Sequence, residues 1–93
     1  MFARVITAYA PAERFDDLIG YVRQQVPEAG QLPGFRGFYL LTDAGNGKVV
    51  TISLWGSREE MAAVSGGGVR DETAAGTWLI PPQLETYEVA VHA

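Results

Sequence analysis

The chain has no cysteine, so neither a disulfide nor a thiolate–metal site can reinforce it. That absence fits a reducing compartment. It has one histidine, His92, next to the C-terminus. His92 reads either as a solvated terminal residue or as a base. No Ser–His–Asp, Cys–His or metal-ligand cluster is present, which leaves nucleophilic and metal-dependent hydrolysis without machinery. Positive charge is also scarce: 7 Lys and Arg stand against 11 Asp and Glu, a net charge of −4. The basic residues Arg4, Arg14, Arg23, Arg36, Lys48, Arg58 and Arg70 are scattered, so nucleic acid and anionic membrane surfaces are not expected partners. No apolar run approaches the roughly 18 residues of a membrane span. Met1-Phe2-Ala3-Arg4-Val5 lacks the layout of a signal peptide. The expectation is an intact cytoplasmic protein.

What is present is enough apolar material, 47% of 93 residues, for one globular domain over residues 1–93. A chain this short buries only about 60–65% of its unfolded surface. Self-association is the usual source of further burial. Phe2 to Tyr9 is β-branched, aromatic and carries one charge, which predicts a strand. Pro11 then opens a helix, with Glu13, Asp16 and Asp17 near its positive end. Phe15, Leu18, Ile19, Val22 and Val26 form one apolar stripe, and Pro27 is expected to stop the helix near Val26.

The centre of the chain, Leu32 to Ser57, predicts a β-hairpin. Leu32-Pro33-Gly34 is a rigid turn. Phe38 to Leu41 leads in, Val49 to Trp55 leads out, and Asp43-Ala44-Gly45-Asn46-Gly47 lies between. Gly45-Asn46-Gly47-Lys48 lacks the spacing of a phosphate loop. The turn fits five residues or six, so the register stays open, and with it the face on which Arg36 and Tyr39 lie. Ser57-Arg58-Glu59-Glu60 is a capping box that starts a second helix through Val64. Gly66-Gly67-Gly68 ends or breaks it, Val69 to Ala75 is a further helical piece, and Gly76 is a candidate C-cap. Trp78-Leu79-Ile80 is apolar and Pro81-Pro82 is a stop. Gln83 to His92 alternates as a last strand.

Strand, helix, strand, strand, helix, strand is the ferredoxin-like βαββαβ order. It is an α+β fold with a four-stranded antiparallel sheet and two helices on one face. Two helices cover one face only. Yet Ala3, Val5, Thr7 and Tyr9 oppose Arg4, Ile6 and Ala8, and Val49, Thr51, Ser53 and Trp55 oppose Val50, Ile52 and Leu54. Both parities are nearly free of charge, unlike a sheet with one solvated face. The second face is expected to pack on the same face of a second copy. The alternative is a monomer whose Thr, Ser and Tyr side chains meet water.

Leu32-Pro33-Gly34-Phe35 before the hairpin, Leu54-Trp55-Gly56-Ser57-Arg58-Glu59-Glu60-Met61 after it and the closing Tyr87-Glu88-Val89-Ala90-Val91-His92 resemble the antibiotic biosynthesis monooxygenase-like family. Gly56 stands where that family commonly has Glu. The resemblance implies a homodimer in which two sheets face each other as a dimeric α+β barrel, with a cavity between sheet and helices in each subunit. It implies cofactor-free oxidation of phenols, quinols and polyketide-like aromatics, or haem degradation. Haem degraders of the family use a helix histidine as axial ligand, and His92 lies on the predicted last strand instead.

Five residues are candidates for a site, each with a structural alternative. Trp55 can wall a cavity for a flat substrate or pin the second helix to the sheet. Tyr9, Tyr39 and Tyr87 can orient a substrate hydroxyl or relay a proton, or pack in the core or an interface. Arg36 can stabilise a phenolate or form a rim ion pair. The acidic pairs Asp16-Asp17, Glu59-Glu60 and Asp71-Glu72 point about 100° apart on a helix and do not pair. Tyr39 and Arg36 are thus the catalytic candidates, and Trp55, Tyr9 and Tyr87 the substrate-binding ones. No cofactor is required. The expected protein is a small homodimer oxidising a small aromatic, or alternatively a non-catalytic ligand-binding or structural dimer of the same fold.

Overall fold

The computed structural model describes residues 1–63 and 82–93. The expectations for Val64, the Gly66-Gly67-Gly68 break, Val69 to Ala75, Gly76, Trp78-Leu79-Ile80 and Pro81 lie outside those residues. Four strands, β1 (Phe2–Tyr9), β2 (Phe35–Asp43), β3 (Lys48–Trp55) and β4 (Gln83–Glu88), form one sheet in the order β2-β3-β1-β4. Its pairings are all antiparallel. This is the ferredoxin-like arrangement that the element order implies.

One helix, α1 (Phe15–Ala29), crosses a face of the sheet, and a short helix, α2 (Arg58–Ala62), follows β3. Pro11 leads into a single 3-10 turn, Ala12–Arg14, before α1 begins. Contrary to expectation, α1 does not stop at Val26; it runs through Pro27 to Ala29. The φ of proline is already helical, and its missing N–H costs one bond in the final turn. The Gly30 N–H closes that turn on the Val26 carbonyl at 2.9 Å.

Phe15, Leu18 and Val22 are the buried part of the α1 stripe. They meet Ile6, Ala8 and Val49 of the sheet and Ala10 just past β1, with Phe38 and Leu40 packed alongside. Arg4, Thr51 and Trp55 share that covered side and are also buried. The Arg4 guanidinium donates to the Met61 carbonyl at 2.6 Å, a cation on the C-terminal turn of α2. The N-terminus of α2 is capped as its sequence implies: Ser57 Oγ accepts from the Glu60 N–H at 3.1 Å. Glu60 reaches back to the Ser57 hydroxyl, at 3.0 Å, rather than to its N–H.

The hairpin turn is shorter than either length left open. Asp43 pairs with Lys48, so four residues, 44–47, make the loop. The Asn46 amide donates to the Asp43 carboxylate at 2.7 Å, and its N–H to the Asp43 carbonyl at 3.2 Å. Gly47 has φ +65°, and its carbonyl accepts from the Ala10 N–H at 2.9 Å. A Cβ there would lie 2.8 Å from the Ala10 carbonyl oxygen, a backbone atom that cannot turn away. At the other end, Pro33 and Gly34 (φ +80°) turn the chain with Phe35 N–H on the Leu32 carbonyl at 3.2 Å, the pattern of a type II turn.

The last strand is shorter than its alternation suggests. It ends at Glu88, because β1 begins at Phe2 and offers nothing further to pair with. The Val89 N–H takes the final bond, to the Met1 carbonyl at 2.9 Å. Among the described residues no helix is long and apolar enough to cross a membrane.

Two stability measurements follow. Trp55 is 3% exposed, and its ring meets Phe35 edge-on with centroids 5.5 Å apart. Trp55→Ala is expected to cost about 3–5 kcal/mol in denaturant unfolding, the range for large aromatic deletions from cores. Gly47→Ala is expected to cost about 2 kcal/mol or more, from left-handed backbone strain plus the clash with Ala10. A thermal midpoint unchanged from the parent in either variant contradicts the packing described.

Candidate functional site

The hairpin register sorts the candidate residues. In an antiparallel pair, partners share a face and successive residues alternate. Tyr39 pairs with Ile52, Val5 with Ile52 and Glu85, Ala3 with Tyr87, and Tyr9 with Lys48. Tyr9, Tyr39 and Tyr87 therefore share the face of Val5, Val50, Ile52 and Leu54, which is turned away from α1. Trp55 lies on the opposite, helix-covered face, where its indole N–H donates to Ser53 Oγ at 2.9 Å. Arg36 is the extra residue where the β2–β3 register shifts between Phe35 and Gly37. Its guanidinium lies against Gly56, which the Glu60 carboxylate also approaches. The three residues Trp55, Tyr39 and Arg36 thus do not converge on one space.

The face turned from α1 is broad and apolar. Tyr39 is 57% exposed, Leu41 47% and Tyr87 52%. Val5, Val50, Ile52 and Leu54 between them are half-buried. The Tyr87 hydroxyl donates to the Glu85 carboxylate at 2.6 Å. That hydrogen bond, chiefly, holds the phenol above its ordinary pKa, so Tyr87 is not a ready phenolate.

The other face carries a half-open groove of about 340 Å³ between α1 and the edge strand β2. Ile19, Val22 and Val26 form its helix wall, and Phe38 and Leu40 its sheet wall. Arg23 and Thr42, both exposed, provide its polar groups. The volume is within the range of small-molecule sites, about 300–1,000 Å³. Phe38 and Leu40 are the neighbours of Tyr39, one residue out of phase with it, so a single step of register decides which of them lines the groove. The signal for the groove was in the α1 stripe: Val26 continues it but stays 38% exposed among the described residues.

Among the described residues the groove is lined by no carboxylate, imidazole or thiol. Among the described residues no group of three or more His, Cys, Asp and Glu could hold a metal ion. Chemically the arrangement can exclude water from one side of a flat apolar molecule, offer it one hydroxyl and place one cation beside it.

No curated protein matches the sequence. Solved structures do match in fold. The heme-degrader MhuD from Mycobacterium tuberculosis, with two hemes bound in its active site, is 20% identical, with a TM-score of 0.78 over 100% of this chain and 99% of that one. A protein of unknown function from Nitrosomonas europaea is 16% identical, with a TM-score of 0.79 over 99% and 91%. An antibiotic biosynthesis monooxygenase is 15% identical, with a TM-score of 0.71 over 98% and 100%. At these identities the likeness is one of fold. The sequence pattern of the antibiotic biosynthesis monooxygenase family matches residues 1–68, from β1 through α2, and the chain belongs to that family.

Proposed function

We propose that the protein is a homodimer, joined through the faces of its two sheets that α1 leaves uncovered, and that each subunit oxidises a small phenol or quinol in the α1–β2 groove. The observation that carries this reading is the groove itself: apolar walls from Ile19, Val22, Val26, Phe38 and Leu40, with Arg23 and Thr42 as the polar groups among the described residues. Among the described residues its lining offers no carboxylate or imidazole as a base, so the reading takes a substrate that supplies the electrons itself. A phenolate can give one electron to dioxygen. The resulting radical pair combines to a peroxide on a ring carbon, and loss of water leaves a quinone. The ring carbon loses its hydrogen and gains one oxygen atom, the phenol loses its proton, and the second oxygen leaves in the water. The protein's share is orientation, a dry wall and stabilisation of the anion. On this reading Tyr9, Tyr39 and Tyr87 belong to the subunit interface, and Trp55 to the core.

The dimer is supported by the apolar content of the uncovered face. Val5, Val50, Ile52, Leu54, Tyr39 and Leu41 spread over three adjacent strands, and contiguous apolar patches of that kind mark association surfaces. Haem chemistry of the kind named for MhuD does not fit this chain. Its one histidine, His92, lies beyond β4 and is exposed, so a helix histidine is unavailable as an axial ligand. The lack of a carboxylate or imidazole among the described lining residues also favours a second reading, a dimer that binds an aromatic ligand without converting it.

Light scattering at micromolar concentration is expected to give about twice the 10.1 kDa chain mass, and Ile52→Glu, a charge placed in the uncovered face, to give the single-chain mass. A single-chain mass for the parent protein overturns the dimer. Oxygen uptake on a panel of phenols and quinols is expected to exceed the buffer rate and to fall to it in Val26→Trp, which fills the groove from its exposed edge. Uptake equal to the buffer rate for the parent protein removes the enzyme and leaves the ligand-binding dimer.

A further inference from the structure

We infer that the α1–β2 groove selects small flat aromatic anions, with Arg23 as the specificity-determining counter-ion. This rests on the groove being the ligand site proposed above. The helix positions three and four residues from Arg23 are Ile19, Gly20, Val26 and Pro27, none of them acidic. A surface arginine on a helix ordinarily finds a carboxylate at such a position, as Arg14 does with Asp17 at 3.8 Å. Among the described residues Arg23 has no ion pair. Across the groove stand Phe38, Leu40 and Thr42, so the facing strand offers no carboxylate either.

The chain as a whole carries a charge of −4 and repels anions at long range. A guanidinium beside an apolar groove, without an ion pair among the described residues, is therefore a local reversal of sign at a place where a ligand can sit. A guanidinium binds carboxylate and phenolate oxygens through charge-assisted hydrogen bonds, and it stacks on aromatic faces. Arg23 lines the groove together with Val22 and Val26. The shared chemistry of the ligand is thus a planar ring bearing one ionised oxygen group. Arg23 takes the anion-stabilising role that the sequence assigns to Arg36, a residue held instead at the β2 bulge beside Gly56.

The test is calorimetric titration with 2-naphthoate and with its neutral analogue 2-naphthamide, at low and high salt. A parallel arm uses 2-naphthol below and above its own pKa, to separate a carboxylate from a phenolate source. The parent protein is expected to bind naphthoate about fivefold more tightly than naphthamide, the upper end for a partly exposed ion pair. Salt is expected to narrow the gap. Arg23→Met is expected to bring naphthoate down to the naphthamide level without moving naphthamide, and Arg23→Lys to restore part of the gap. Equal affinities in the parent protein, or a gap that persists in Arg23→Met, overturn the role of Arg23 while leaving the groove as the ligand site. Binding of neither probe, or binding unaffected by Val26→Trp, overturns the inference and the groove reading together.

Discussion

Asp43 pairs with Lys48 across four residues, and everything asymmetric about the sheet depends on that pairing. Side chains on a strand alternate with a period of two, so one residue more or less in the turn would exchange the faces of β2. The turn is held from within by Asn46 on Asp43 and from outside by the Ala10 N–H on Gly47. The outer bond ties the hairpin to the end of β1 and needs a residue that accepts φ +65° with no Cβ. A loop of surface glycines thereby decides which aromatic side chains are inside.

The sheet has two different uses for its two faces. On one, Ile6, Ala8 and Val49 meet Phe15, Leu18 and Val22 of α1, and the helix stops short of covering the edge strand. The uncovered margin is the groove, floored by Phe38 and Leu40. On the other, three tyrosines and a row of Val, Ile and Leu residues have no covering layer among the described residues. A second copy is the proposed cover. In a chain of 93 residues that surface would add substantially to a small core. The proposed ligand groove lies on the reverse side, away from the proposed interface.

The order of elements was legible because each rests on a strong local pattern: the β-branched run of β1, the stripe of α1, the glycine-rich turn and the Ser57 cap. The scarcity of charge on both parities of β1 and β3 was equally legible. What local pattern could not convey was phase. Tyr39 and Phe38 are both aromatic and adjacent, and only the turn length says which faces α1. The arginines posed the same difficulty. Arg4, Arg23 and Arg36 read alike as scattered charges, yet one is buried on the α2 carbonyl of Met61, one edges the groove and one fills a bulge. Pro27 misled for a different reason: α1 runs on through it to Ala29 and bears the loss of one hydrogen bond in its last turn. The alternation through His92 outran the strand because β1 had no residue left to pair with it.

The central claim is the register, and it can be read directly from nuclear Overhauser contacts in the methyl- and aromatic-labelled protein. The account predicts contacts from the Leu40 methyls and the Phe38 ring to Val22, and from the Tyr39 ring to Ile52. Contacts between the Tyr39 ring and the Val22 methyls, with none from Leu40 to α1, would contradict it.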